Sequence, residues 1–313
     1  MMGAAIVLAL AALPASASAV TATKHHLDMY KVEQHVTLPE YDTSTYTLAC
    51  PNGDIAADGM WRVDEVGPYN AQLADDDEDP WTIADGVSVT AAFPKDNETY
   101  EFVIRNNTSE NAQLKLFVTC LGSKTSADTH QHNLVTTSPF WTAHHFDNTG
   151  LQPMPHGGVC GPGEIVISPG FRINDGSARI VGSYGSANLR DWTWKFRVGS
   201  PNIDVDVFAR CLKLTTADYP GAPKNHRHKL YAYLRTSPIQ HHDKGNGVWE
   251  HQISCRDDQK GLVGGFDVSG NPNWWWLGMD PRIKTRAFKT FGTGAGGSYS
   301  LVCVNDRTSR PFF

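Results

Sequence analysis

The chain has 313 residues, with 27 basic against 33 acidic side chains, a net charge of −6 and 13 histidines. A mildly acidic chain lacks the basic surface that nucleic-acid binding calls for, and no apolar stretch reaches the roughly 20 residues of a membrane-spanning helix. The six cysteines are even in number and no CxxC pair occurs, which points to disulfides rather than a metal-thiolate or redox motif.

The N-terminus runs through an apolar stretch, Ala4 to Leu13, then Pro14 and Ala15-Ser16-Ala17-Ser18-Ala19. A stretch of this length ending in A-x-A predicts a secretory signal peptide over residues 1–19, cleaved after Ala19, although no Lys or Arg precedes the apolar run. Next come His25-His26-Leu27 and the strand-like LDMYKVEQHVTLP, then Cys50 opening CPNGDIAADGMWRVD. Thr99-Tyr100-Glu101-Phe102 reads as a strand with an inward aromatic, and NAQLKLFVTC as a second strand ending in Cys120. In that second strand Leu114, Leu116, Val118 and Cys120 alternate with more polar residues, the period of a strand with one buried face. The two strands are expected to pair as a hairpin.

The same series returns twice. Cys160 opens CGPGEIVISPGFRIND and Cys255 opens CRDDQKGLVGGFDVSG, and an aromatic stands eleven residues after each opening cysteine: Trp61, Phe171 and Phe266. A glycine sits one or two places before each aromatic, at Gly59, Gly170 and Gly265. Thr193-Trp194-Lys195-Phe196 and Ala287-Phe288-Lys289 repeat the aromatic strand, while NIDVDVFARC and GSYSLVCV repeat the closing strand, ending at Cys211 and Cys303. Upstream, His130-Gln131-His132-Asn133-Leu134 and His226-Arg227-His228-Lys229-Leu230 correspond to His25-His26-Leu27, with His26, His132 and His228 taken as equivalent. The expected organisation is a signal peptide at 1–19 and three β modules at 20–124, 125–219 and 220–313. The fold class is all-β, three tandem sandwich-like modules of immunoglobulin size. One cysteine opens and one closes each copy, so the expected bridges are Cys50–Cys120, Cys160–Cys211 and Cys255–Cys303, one per module.

The combination of CPNG (50–53), CGPG (160–163), GGF (264–266) and the three cysteine-ending strands resembles a module of uncharacterised secreted bacterial proteins. The third copy lacks Pro-x-Gly after its cysteine and the first lacks the double glycine. The resemblance implies export and an all-β module, and no particular activity.

Three features are candidates for chemistry. His130 and His132, like His226 and His228, are spaced so that both imidazoles of a pair share a strand face and could hold Zn or Cu, with His144, His145, His241 or His242 as further ligands. The competing reading is a polar strand at a module junction. Trp274-Trp275-Trp276, with Trp192 and Trp194, could stack on sugar rings, yet strand alternation puts Trp275 opposite its neighbours and so turns one side toward the core. The acidic stretch 74–80 has calcium-like charge without the glycine spacing of a calcium loop and reads as a solvated loop.

No GxSxG, HExxH, phosphate-binding glycine loop or haem motif is present, and all six cysteines are assigned to bridges, so neither a catalytic residue nor an enzyme is expected. No cofactor is expected beyond Zn or Cu at the histidine pairs. The function expected first is an exported structural or adhesive surface protein that assembles into a fibre, sheath or coat through strand addition or module junctions. The alternative is a soluble extracellular binding protein for glycans or a transition metal. Expected partners are the protein itself, other surface proteins or glycans, with neither nucleic acid nor a membrane span.

Overall fold

The computed structural model describes residues 24–66, 86–126, 130–156, 159–174, 178–219, 225–238, 242–243, 248–270, 275–291, 297–309 and 312. The proposed signal peptide, the acidic stretch 74–80, His241 and Trp274 lie outside them.

The first repeat forms β1 (His26–Leu38), β2 (Thr43–Ala49), β3 (Ile55–Val66), β4 (Val87–Pro94), β5 (Thr99–Asn106) and β6 (Ala112–Ser126). The second forms β7 (Phe140–Phe146), β8 (Gly150–His156), β9 (Glu164–Ile173), β10 (Ala178–Gly185), β11 (Trp192–Val198) and β12 (Ile203–Lys213). The third forms β13 (Ala232–Pro238), the short β14 (His242–Asp243), β15 (Val248–Ser254), β16 (Gln259–Asp267), β17 (Trp275–Pro281), β18 (Thr285–Phe291) and β19 (Ser298–Asn305). Alternation explains these strands. In β11, Trp192, Trp194, Phe196 and Val198 are buried while the residues between them are half-exposed.

Within each repeat the strands make two layers, three-stranded save one: β1-β6-β3 and β2-β5-β4, then β7-β12-β9 and β8-β11-β10, then β13-β19-β16 and the four-stranded β14-β15-β18-β17. The expected hairpin between the aromatic strand and the closing-cysteine strand does not form, because β5 pairs with β2 and β4 while β6 pairs with β1 and β3. Both strands carry a buried face, and those faces bury more apolar surface opposed across a sandwich than side by side. The bridges Cys50–Cys120, Cys160–Cys211 and Cys255–Cys303 therefore tie one layer of each repeat to the other.

The repeats are not separate beads. Each layer continues into a layer of a neighbouring repeat, giving sheets ordered β1-β6-β3-β17-β18-β15-β14, β2-β5-β4-β9-β12-β7 and β13-β19-β16-β10-β11-β8. The seams are equivalent: Gly278 opposite Arg62, Ala92 opposite Phe171 and Ser183 opposite Phe266. The aromatic that follows each opening cysteine thus lies at a seam, and in the second and third repeats the glycine before it lets backbones approach. A Cβ at Gly170 would stand 2.6 Å from the Phe93 Cα. Polar contacts cross the seams too: Tyr100 donates to the Pro169 carbonyl at 3.0 Å, and Lys195 meets Asp267 at 2.7 Å. The result is a closed pseudo-threefold body around a continuous core reaching from Leu27 to Val304. The strand-like LDMYKVEQHVTLP supplies β1, and β1, β7 and β13 each lie at an outer edge of their sheet. Among the described residues, no helix is long and apolar enough to cross a membrane.

Candidate metal centre

One end of the pseudo-threefold axis is closed by the histidine segments. Each runs antiparallel to the tail of a closing-cysteine strand from the preceding repeat, pairing Lys124 with Asn133, Thr215 with Lys229, and Arg307 with His26. The last pairing joins the first repeat to the third and completes the ring. The backbone N–H of Thr125, Thr216 and Thr308 donates to the carbonyl of His132, His228 and His25 at 2.9, 2.9 and 2.8 Å.

The same threonines return the contact. The N–H of His132 donates to Thr125 Oγ1 (3.0 Å), that of His228 to Thr216 Oγ1 (3.0 Å) and that of His25 to Thr308 Oγ1 (3.1 Å). Each hydroxyl also touches the imidazole of its own repeat, at 3.4 Å from His25 Nδ1, 3.4 Å from His132 Nδ1 and 3.0 Å from His228 Nδ1. Three hydroxyls and three imidazoles thus alternate around the axis.

This lattice sets the tautomers. His132 Nδ1 lies 3.2 Å from the Ala217 carbonyl and His228 Nδ1 lies 2.8 Å from the Ser309 carbonyl. A carbonyl oxygen only accepts, so Nδ1 carries the proton and Nε2 keeps its lone pair. The Nε2 atoms of His25, His132 and His228 are buried and have no hydrogen-bond partner. Their residues are 0, 1 and 0 % exposed, and the three ring centroids stand 4.3 to 5.0 Å apart. Three unpartnered ring nitrogens in one buried place, two of them fixed as acceptors, are costly unless something occupies the space between them. Metal-ligating imidazoles have the same arrangement, one nitrogen on the ion and the other donating to a carbonyl.

His130 joins the group from a part-exposed position, and one nitrogen from each of His25, His130, His132 and His228 lies within 4.8 Å of the others. Tetrahedral zinc with bonds near 2.0 Å needs nitrogens about 3.3 Å apart, so modest inward tilts complete the site. Burial above all, reinforced by the surrounding imidazoles, lowers His25 and His228 from 6.5 to about 4, and burial also lowers His132 and His130. The imidazoles are accordingly neutral near pH 7, the form that binds metal.

Of the residues expected at a metal site, His130, His132, His226 and His228 are all brought to this end of the molecule. The alignment that made His26 the equivalent of His132 and His228 is corrected: the equivalent is His25, while His26 points away to Asp306 at 3.2 Å. Counting back two places from Leu27, Leu134 and Leu230 finds the right triad, and a threonine five residues after each closing cysteine marks its supports. His145 lies elsewhere on β7, bound to Asp204 at 2.6 Å and Asp147 at 3.2 Å. His144 is on the same strand and outside the cluster. Of the tryptophans, Trp192 and Trp194 are 1 % exposed, Trp276 stacks on Phe266 at 3.9 Å and Trp275 lies against the Arg179 guanidinium at 3.5 Å.

No protein-family model and no curated protein sequence matches the chain.

Proposed function

We propose that this chain is an exported metal-binding protein that holds one transition-metal ion, of the zinc or copper class, on its pseudo-threefold axis through His25, His132 and His228. The observation carrying this reading is the set of three buried, unpartnered Nε2 atoms whose rings are oriented by backbone carbonyls and threonine hydroxyls. Imidazole donors suit zinc, copper, nickel and iron, and one ligand per repeat lets a single ion join all three repeats. Export is supported by the N-terminal Ala-x-Ala pattern and by three disulfides, which persist in oxidising compartments.

The test is metal titration of chelator-stripped protein, followed by calorimetry and elemental analysis. One zinc or copper ion per chain is expected, with a rise in Tm corresponding to about 2.7 kcal/mol at roughly one hundred times Kd. His132→Ala and His228→Ala should abolish stoichiometric uptake, whereas His145→Ala should not. Uptake that ignores His132 and His228, or no uptake at all, would remove the proposal.

A second reading, assembly into a surface fibre or coat by strand addition, draws support from the edge strands β1, β7 and β13. β7 and β13 carry Trp141 and Tyr233, exposed by 59 % and 46 %. Exposed edges with large apolar side chains are templates for another strand. Filaments or large oligomers in negative-stain images, lost when Trp141 and Tyr233 are changed to Lys, are its expected signature. A monomer at every concentration would count against it.

A further inference from the structure

The triad leaves open whether the ion keeps an exchangeable position, as in a catalytic centre, or is enclosed. A second layer of histidines decides between these. Two residues ahead of the triad member, the second and third repeats carry His130 and His226, and the first carries Thr23. This layer breaks the threefold pattern, and of its two imidazoles only that of His130 joins the nitrogen cluster of the triad. The His130 ring stands 4.8 Å from that of His25 and 5.1 Å from that of His132, and its donor nitrogen shares the 4.8 Å limit of the three triad nitrogens. The ring is also gripped from outside. The Tyr219 ring lies 4.5 Å away, and His226 Nε2 meets His130 Nε2 at 3.0 Å. His226 is itself pinned by a backbone bond from Tyr219 N–H to its carbonyl, at 2.9 Å.

Resting on the metal-binding reading above, we infer that His130 is the fourth ligand, that His226 positions it, and that the centre is a closed four-imidazole site for zinc that stores or staples rather than catalyses. Four imidazole nitrogens within 4.8 Å of one another match the donor type and number of tetrahedral zinc. Copper(II) prefers a tetragonal arrangement. Structural zinc sites are four-coordinate with protein ligands only, whereas catalytic ones keep a water. The part-exposed His130 is also the member nearest solvent, so the ion would be captured from that side and covered by the same residue.

Cobalt(II) in place of zinc makes the coordination visible. The full-length protein loaded with one Co2+ is expected to show the intense visible absorption of tetrahedral cobalt, unchanged by azide. His130→Ala should weaken Zn2+ binding by more than the roughly 10- to 100-fold typical of losing an outer-shell partner and, once loaded with cobalt, should show a spectrum that shifts with azide as solvent takes the vacated place. His226→Ala should keep the tetrahedral spectrum but lose part of the affinity, as befits a positioning residue. An azide-responsive or six-coordinate spectrum in the wild type overturns the inference while leaving the triad reading intact. Failure to bind any ion overturns both. Should His130→Ala not fold, the wild-type azide challenge decides alone.

Discussion

Each triad imidazole spends one nitrogen on the protein and keeps the other for the axis, and that division has a consequence in acid. His25 and His228 hold pKa values of about 4 against 6.5 in an unfolded chain, and His132 and His130 are lowered in the same direction. Between those values the unfolded chain binds protons that the folded chain refuses, so stability falls as pH falls from about 6.5 toward 4 and is insensitive to these groups above that range. Metal-free protein is expected to lose Tm steadily across this window. A variant with Asn at positions 25, 132 and 228 should have a visibly flatter profile. Equal slopes for the two proteins, measured by thermal unfolding in chelator, would show that burial of the triad does not set its protonation.

Strands here are specified by alternation, but their partners across repeats are specified by what is missing from a side chain. Gly278 on β17 has φ +122°, and a Cβ there would lie 1.8 Å from the Trp61 carbonyl oxygen of β3. Neither the backbone conformation nor the space admits another residue. Gly278→Ala is therefore expected to cost about 3 kcal/mol or more by forcing the β3–β17 seam apart. Gly270→Ala, where a Cβ meets nothing within 4 Å, should cost little. Chemical denaturation of the two variants measures the difference, and similar midpoints would mean that the seam is pliable. Asp58 shows the same seam in polar form. It is fully buried, accepts the Gly264 N–H at 2.9 Å and lies 4.0 Å from the Arg286 guanidinium of the third repeat.

At the level of the whole molecule, shared sheets and a continuous core remove the independence that tandem modules usually have. Every sheet combines strands of two repeats, and the first and third repeats meet where His25 N–H donates to Thr308 Oγ1. Unfolding should accordingly be one cooperative transition, with calorimetric and van't Hoff enthalpies equal, rather than three. Removing Cys160–Cys211 should lower that single transition by about 4 kcal/mol without splitting it. Three resolvable transitions in scanning calorimetry would mean that the repeats fold as separate domains.

The sequence by itself determined the threefold repeat, the alternating strands, the pairing of the cysteines and the concentration of histidines ahead of each repeat. All of these are patterns of local period or fixed spacing, and a chain expresses them without reference to distant partners. The tertiary structure alone decided that aromatic and closing strands face each other instead of forming a hairpin, that layers join across Gly170 and Gly278, and that His25 rather than His26 turns inward. Those outcomes depend on segments such as His25 and Thr308, 283 residues apart, being brought to one point. Spacing shows that imidazoles are present. Only packing shows which of their nitrogens the protein has left unbonded.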